Sequence, residues 1–186
     1  MALIDPLEIE HKRRQLVRLL ISYNDFKQAA ELAALARSSD GHYAFEHHIM
    51  GDAAFDQINI LRALNIAACV AYCRPFSGND RTADPKISDL PQRFVRELDA
   101  EERELHDHLL ELRDTSYVHS DSTAWDLELS WHNRKCGLEH NDVWAPFKQD
   151  WLDRIQALSN KMRERCFAER QSLERDLYPM LGGSEE

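Results

Sequence analysis

Glycine and proline are scarce in this 186-residue chain, six of each, and that scarcity argues against a disordered or fibrous polymer. Cysteine is scarce as well. Cys69, Cys73, Cys136 and Cys166 form no CxxC pair and no disulfide-framework spacing, so they read as buried free thiols of a reducing compartment. No stretch approaches the roughly 18 consecutive apolar residues of a membrane span. The opening MALIDPLEIEHKRRQLVRLL is interrupted by charges from Glu8 to Arg18, unlike the apolar centre of a secretion signal. A cytoplasmic protein without membrane association is therefore expected. The chain also lacks a phosphate-binding P-loop, a GxGxxG turn, a nucleophile elbow and any zinc-spaced cluster, and the corresponding function classes drop out.

What is present suits a helical globule: 43 % hydrophobic and 30 % charged residues, in a length that fits one domain over 1–186 with its own core. The formal net charge of −10 repels polyanions at long range. Any nucleic-acid site must then be a local patch.

From Glu8 to Arg37 the apolar residues Leu16, Leu19, Leu20, Tyr23, Phe26, Ala30 and Ala33 recur in threes and fours, the period of an amphipathic helix. Asn24 and Asp25 favour caps, so the stretch from Ser22 to Asp25 is a candidate break, and SSDG at 38–41 a stop. Tyr43 to Tyr72 is nearly apolar all round and predicts a central helix, ended by Pro75 in CRPFSGND. Pro91 to Leu112 carries the stripe Phe94, Leu98, Leu105, Leu109 and Leu112, a third helix. TAWDLELSWH alternates Trp125, Leu127, Leu129 and Trp131 with polar residues, the period of a half-buried strand needing a partner. Asp142 to Leu177 returns to helical steps. The sum is an all-α, up-and-down bundle of four to five helices with a short irregular or β-hairpin excursion near 123–135.

His48, Asp52 and Asp56 fall at i, i+4 and i+8, metal-compatible residues on one helical face, but no matching second half is present and a solvated polar face accounts for them. No metal or cofactor is expected. The four tryptophans sit at packing positions rather than as a base-stacking platform.

The segment LRDTSYVHSD at 112–121 brings together Arg113, Asp114 and His119. In one regular helix Arg113 and His119 lie about 120° apart around the axis and cannot converge. Two routes reunite them: a helix interrupted near Thr115, Ser116 and Tyr117, or pairing with their equivalents across a twofold axis. The plain structural alternative makes His119 a satisfied core or interface histidine and Arg113 a salt-bridged surface residue. Ser120 and Asp121 read as caps of the next element.

The order Arg, polar residue, four residues, His resembles the R-x(4–6)-H motif of the HEPN superfamily. LRDTSYVHSD also looks like the LRN-x-x-x-AHSD strings of bacterial relatives, with Asp114 in place of Asn and Val118 in place of Ala. The resemblance covers the pattern from Phe26 to His119. It implies a small all-α homodimer acting as a metal-independent endoribonuclease of toxin or defence type, without a cofactor and in some cases with an antitoxin-type partner. Other members of the superfamily are non-catalytic interaction or RNA-binding scaffolds. In the catalytic case, neutral His119 takes a proton from a ribose 2′-hydroxyl, Arg113 holds the phosphate, and Asp114 orients one of them. His106, seven residues before Arg113, is a candidate for the same cleft, against the reading of an exposed histidine in an acidic helix. Arg74 and Asn79 are candidate substrate contacts, against the reading of residues that end the central helix.

Overall fold

The computed structural model describes residues 5–46, 52–77, 89–117, 128–132, 135–139 and 147–180, with side chains described at 5–39, 58–77, 89–115 and 147–180. Helix α1 spans Pro6–Glu46, 41 residues and about 60 Å. Asp5 starts it: its Oδ1 accepts from the Leu7 amide at 2.9 Å, and Pro6 follows where no amide is needed. The break at Ser22–Asp25 does not occur. Ser22 is fully buried against the helices that pack here, Asn24 donates its side-chain amide back to the Leu20 carbonyl at 3.1 Å, and Asp25 pairs with Arg74. The Asn24 and Asp25 groups that favour a cap are thus spent within a continuous helix, while the Ser22 hydroxyl is enclosed without a hydrogen-bond partner. The stop at 38–41 is also absent, since Ser38 and Ser39 turn their hydroxyls onto the Leu35 carbonyl at 2.8 and 2.9 Å while the helix runs on.

Helix α2 spans Asp52–Cys73 and ends in a 3-10 turn, Arg74–Phe76, with Pro75 buried at its centre. Ser77 takes extended geometry, and its amide and hydroxyl both bond the Cys73 carbonyl, at 3.1 and 3.0 Å. The expected third helix is split in two. A single turn, α3 (Arg93–Arg96), is separated from α4 (Ala100–Leu112) by an extended Asp99. Asp99 Oδ1 accepts from the Glu102 amide at 2.8 Å and Glu102 Oε2 accepts from the Asp99 amide at 3.0 Å, a reciprocal cap that makes this the start of a new helix.

Strands β1 (Glu128–His132) and β2 (Lys135–Glu139) pair antiparallel, with Glu128 opposite Glu139 and Trp131 opposite Cys136. Helix α5 spans Gln149–Met180. It begins later than the sequence pattern predicts, and Phe147 ahead of it stacks on Trp151, 6.1 Å between centroids. Trp125 and Trp144 lie outside the described residues.

With five helices among the described residues, the chain is all-α. α1 and α5 run antiparallel along much of their lengths: Arg37 pairs with Asp153 near one end and Lys12 with Asp176 near the other. α2 lies back along α1, so that Arg74 at its far end reaches Asp25. Phe26, Tyr72 and Phe76 form the aromatic centre, with centroids 5.7–5.8 Å apart. Leu61, Leu105, Leu109, Leu152, Ile155 and Met162 close the core around it, each at most 2 % exposed. Burial of each such side chain stabilises by roughly 1.5–3 kcal/mol. Among the described residues no helix is long and apolar enough to cross a membrane.

Candidate functional site

Arg113 stands at the end of α4, and the chain around it departs from α-helical geometry. The Arg113 amide still donates to the Leu109 and Leu110 carbonyls, but residues Arg113–Tyr117 form a wide π turn. The thiols of Cys69 and Cys73, one helical turn apart on α2, both donate to the same Leu109 carbonyl, at 3.3 and 3.4 Å, and share it with the Arg113 amide. The helix widens where the sequence predicts an interruption, over residues that form helices poorly.

The Arg113 side chain is 26 % exposed and donates from Nη1 to Asp114 Oδ1 at 2.7 Å, while Asp114 is largely open to solvent. Thr115 directs its hydroxyl to the Glu111 carbonyl at 2.7 Å. Asp114 thus takes one of the five N–H donors of the guanidinium, and Arg113 faces the boundary of the core next to Cys73. The Cys73 thiol is pushed well up, first by its hydrogen bond with Cys69 and then by burial, and the Cys166 thiol is pushed up to about 12 by burial. Both are neutral thiols, packed like small apolar groups and unsuited to nucleophilic chemistry.

His119, Asn79, Ser120 and Asp121 lie outside the described residues, and so does His48. His106 is described, and it is not a surface residue. It is 3 % exposed, its Nδ1 lies 2.9 Å from the Tyr72 hydroxyl, and its ring stands edge-on to Phe76 at 4.6 Å. Burial holds its pKa below the usual histidine value, with Asp107 opposing and Arg103 assisting, so the imidazole is neutral at pH 7. A substrate contact requires a surface that His106 does not present. Its position follows from α4 itself, where it stands beside Leu105 and three residues before Leu109 on the buried face.

Arg74 is half exposed and ties α2 to α1, donating to Gln28 Oε1 at 2.9 Å and pairing with Asp25 at 3.4 Å. Burial raises the Asp25 carboxyl above its usual value, and Arg74 opposes that rise. The arginine compensates a carboxylate that is mostly enclosed.

Among the described residues no group of three or more His, Cys, Asp or Glu side chains is placed to hold a metal ion. No family model, no curated protein and no solved structure matches the chain.

Four residues of consequence escape a reading of the sequence. Tyr72, which satisfies His106, looks there like one more apolar position. The bonds of Cys69 and Cys73 to α4 leave no local trace beyond their one-turn spacing. Arg18 reads as a charge interrupting an apolar run, yet it is 3 % exposed and reaches across to the Arg74 and Pro75 carbonyls.

Proposed function

We propose that the chain is a metal-independent endoribonuclease of HEPN-like, toxin or defence type, acting through Arg113 and His119 at a homodimer interface. The observation that carries this reading is the π turn at Arg113–Tyr117. In an unbroken α-helix the two residues point about 120° apart, and a wide turn between them changes that angle. Such turns recur at functional sites. Arg113, partly exposed and with most of its donors unspent, suits a phosphate ligand better than a buried structural arginine does.

The chemistry follows from the residue types. Neutral His119 removes the 2′-hydroxyl proton of the substrate ribose, and the 2′-oxygen attacks the adjacent phosphorus. Arg113 stabilises the charge of the pentacovalent phosphorane. The P–O5′ bond breaks, and an imidazolium returns a proton to the leaving 5′-oxygen. The products are a 2′,3′-cyclic phosphate and a 5′-hydroxyl. Asp114 sets the orientation of Arg113. An antitoxin-type protein is the partner that fits a self-toxic nuclease.

A second reading is a non-catalytic helical interaction or RNA-binding scaffold; the net charge of −10 and the Asp114 carboxylate already seated on Arg113 favour its protein-interaction form. Incubation with an RNA pool in the presence of chelator separates the two. New 2′,3′-cyclic phosphate ends support the nuclease, and retention of intact RNA or no association supports the scaffold.

A further inference from the structure

Where α5 begins, it opens beside a cavity that the chemistry at Arg113 does not use. The cavity measures about 200 Å³ and is lined by His108 of α4 and by Phe147, Lys148 and Trp151. His108, Phe147 and Trp151 are half-buried, and Lys148 is exposed. Helical spacing in the sequence makes Trp151 a packing residue, and both Trp151 and Phe147 do rest partly on the core. Neither ring is fully enclosed, and both line the cavity.

The Phe147 and Trp151 planes lie within 15° of parallel, and the His108 ring meets the Trp151 ring edge to face at 4.9 Å. The Arg154 guanidinium sits 5.3 Å from the Trp151 centroid while its Nη2 donates to the Glu101 carbonyl at 3.2 Å. Parallel aromatic planes with cationic side chains beside them suit the bases of single-stranded nucleic acid, since every base presents a π face. The chain carries a net charge of −10, yet no carboxylate occurs among the described lining residues. Glu104, Glu111 and Asp150 are exposed nearby in sequence and stand outside that lining. They disfavour a phosphate beside the cavity, so the group that enters is an uncharged ring. The volume falls below the roughly 300–1,000 Å³ typical of sites for whole small molecules and fits a single ring system.

We infer that this cavity is a base-stacking subsite for single-stranded RNA, with Trp151 and Phe147 as its platform and His108 and Lys148 as hydrogen-bonding groups at the edge of the base. The choice of RNA as ligand rests on the function proposed above. His108 precedes Arg113 by five residues on α4, about 7.5 Å along the helix axis and about 140° around it. A strand that places one phosphate on Arg113 and wraps the end of α4 brings a flanking base to the cavity.

The test is binding of the full chain to a 2′-O-methyl oligoadenylate, which lacks the attacking hydroxyl, compared with an abasic strand of equal length and charge. The oligoadenylate is expected to bind more tightly than the abasic strand, and Trp151→Leu to weaken it by about fivefold or more without changing the abasic strand. Because Trp151 also packs on the core, Phe147→Leu, ahead of α5, is the second variant; it is expected to act in the same direction and decides alone if Trp151→Leu does not fold. Equal binding of the two strands overturns the inference, as does wild-type affinity in a folded variant. Adenosine monophosphate binding as tightly as the strand overturns it in favour of a free-nucleotide pocket, and loss of a dimer in Phe147→Leu overturns it in favour of a contact between copies. Base-dependent binding by a parent that cuts no RNA supports the subsite and contradicts only the nuclease; cleavage by a parent that binds both strands equally does the reverse.

Discussion

The Tyr72 hydroxyl meets Nδ1 of His106 at 2.9 Å where α2 packs on α4, with both groups closed off from solvent. The pair connects two polar side chains that the core would otherwise leave unsatisfied. Tyr72→Phe removes the hydroxyl and keeps the ring against Phe26 and Phe76. Its expected cost is about 1–3 kcal/mol, the penalty for an unanswered buried nitrogen, read from urea unfolding at pH 7.5. A variant as stable as the parent would mean that the bond contributes nothing.

The same histidine sets a pH dependence. Its folded pKa lies below the 6.5 of the free side chain, so the unfolded chain binds the proton more tightly. The stability it confers is complete above about pH 6.5 and falls as the pH drops below that value. Urea midpoints between pH 7.5 and 5 are expected to fall less steeply in His106→Gln than in the parent. Parallel profiles would exclude His106 as the source.

How far the sequence discloses this fold depends on whether a signal is local. The helices α1 and α5 follow from apolar residues in threes and fours, a pattern generated by the buried face itself, whereas α2 follows from a run apolar nearly all round, which does not disclose that Tyr43 belongs to α1 and that α2 starts at Asp52. The split between α3 and α4 was legible too, because Asp99 followed three residues later by Glu102 spells a reciprocal cap, although the continuous stripe from Phe94 to Leu112 hides it. The continuity of α1 through Ser22, Asn24 and Asp25 was not legible, since it depends on Arg74, 49 residues from Asp25. Arg18 is the extreme case. Its burial depends on carbonyls 56 and 57 residues away, and nothing near it distinguishes it from a solvated charge. At the candidate site, the weakness of Thr115, Ser116 and Tyr117 as helix formers was visible, but the two thiols that engage the Leu109 carbonyl belong to another helix.

The cap at Asp99 offers a direct check on the division of α3 from α4. Asp99→Ala is expected to destabilise by about 1 kcal/mol, measured by chemical denaturation, and Asp99→Asn by much less. Equal effects of the two would mean that the charge, and not the cap, matters there.

The thiols give a kinetic readout. Cys69, Cys73 and Cys166 are buried, and the thiols of Cys73 and Cys166 are held well above the usual range. In the native chain a thiol reagent at pH 8 is expected to titrate at most one of the four cysteines quickly, and all four in concentrated urea. Rapid native reaction at Cys73 would contradict the packing of α2 against α4.

The proposed function requires Arg113 and His119 to act together on RNA. The most direct measurement compares RNA cleavage in chelator by the parent, Arg113→Ala and His119→Ala, with circular dichroism and molecular mass in solution recorded for each. The expected result is cleavage by a dimeric parent that leaves 2′,3′-cyclic phosphate ends, reduced by about 100-fold or more in both variants while fold and dimer persist. An inactive parent, wild-type cleavage by His119→Ala, or loss of the fold in His119→Ala would contradict it and leave LRDTSYVHSD as a structural segment of the bundle.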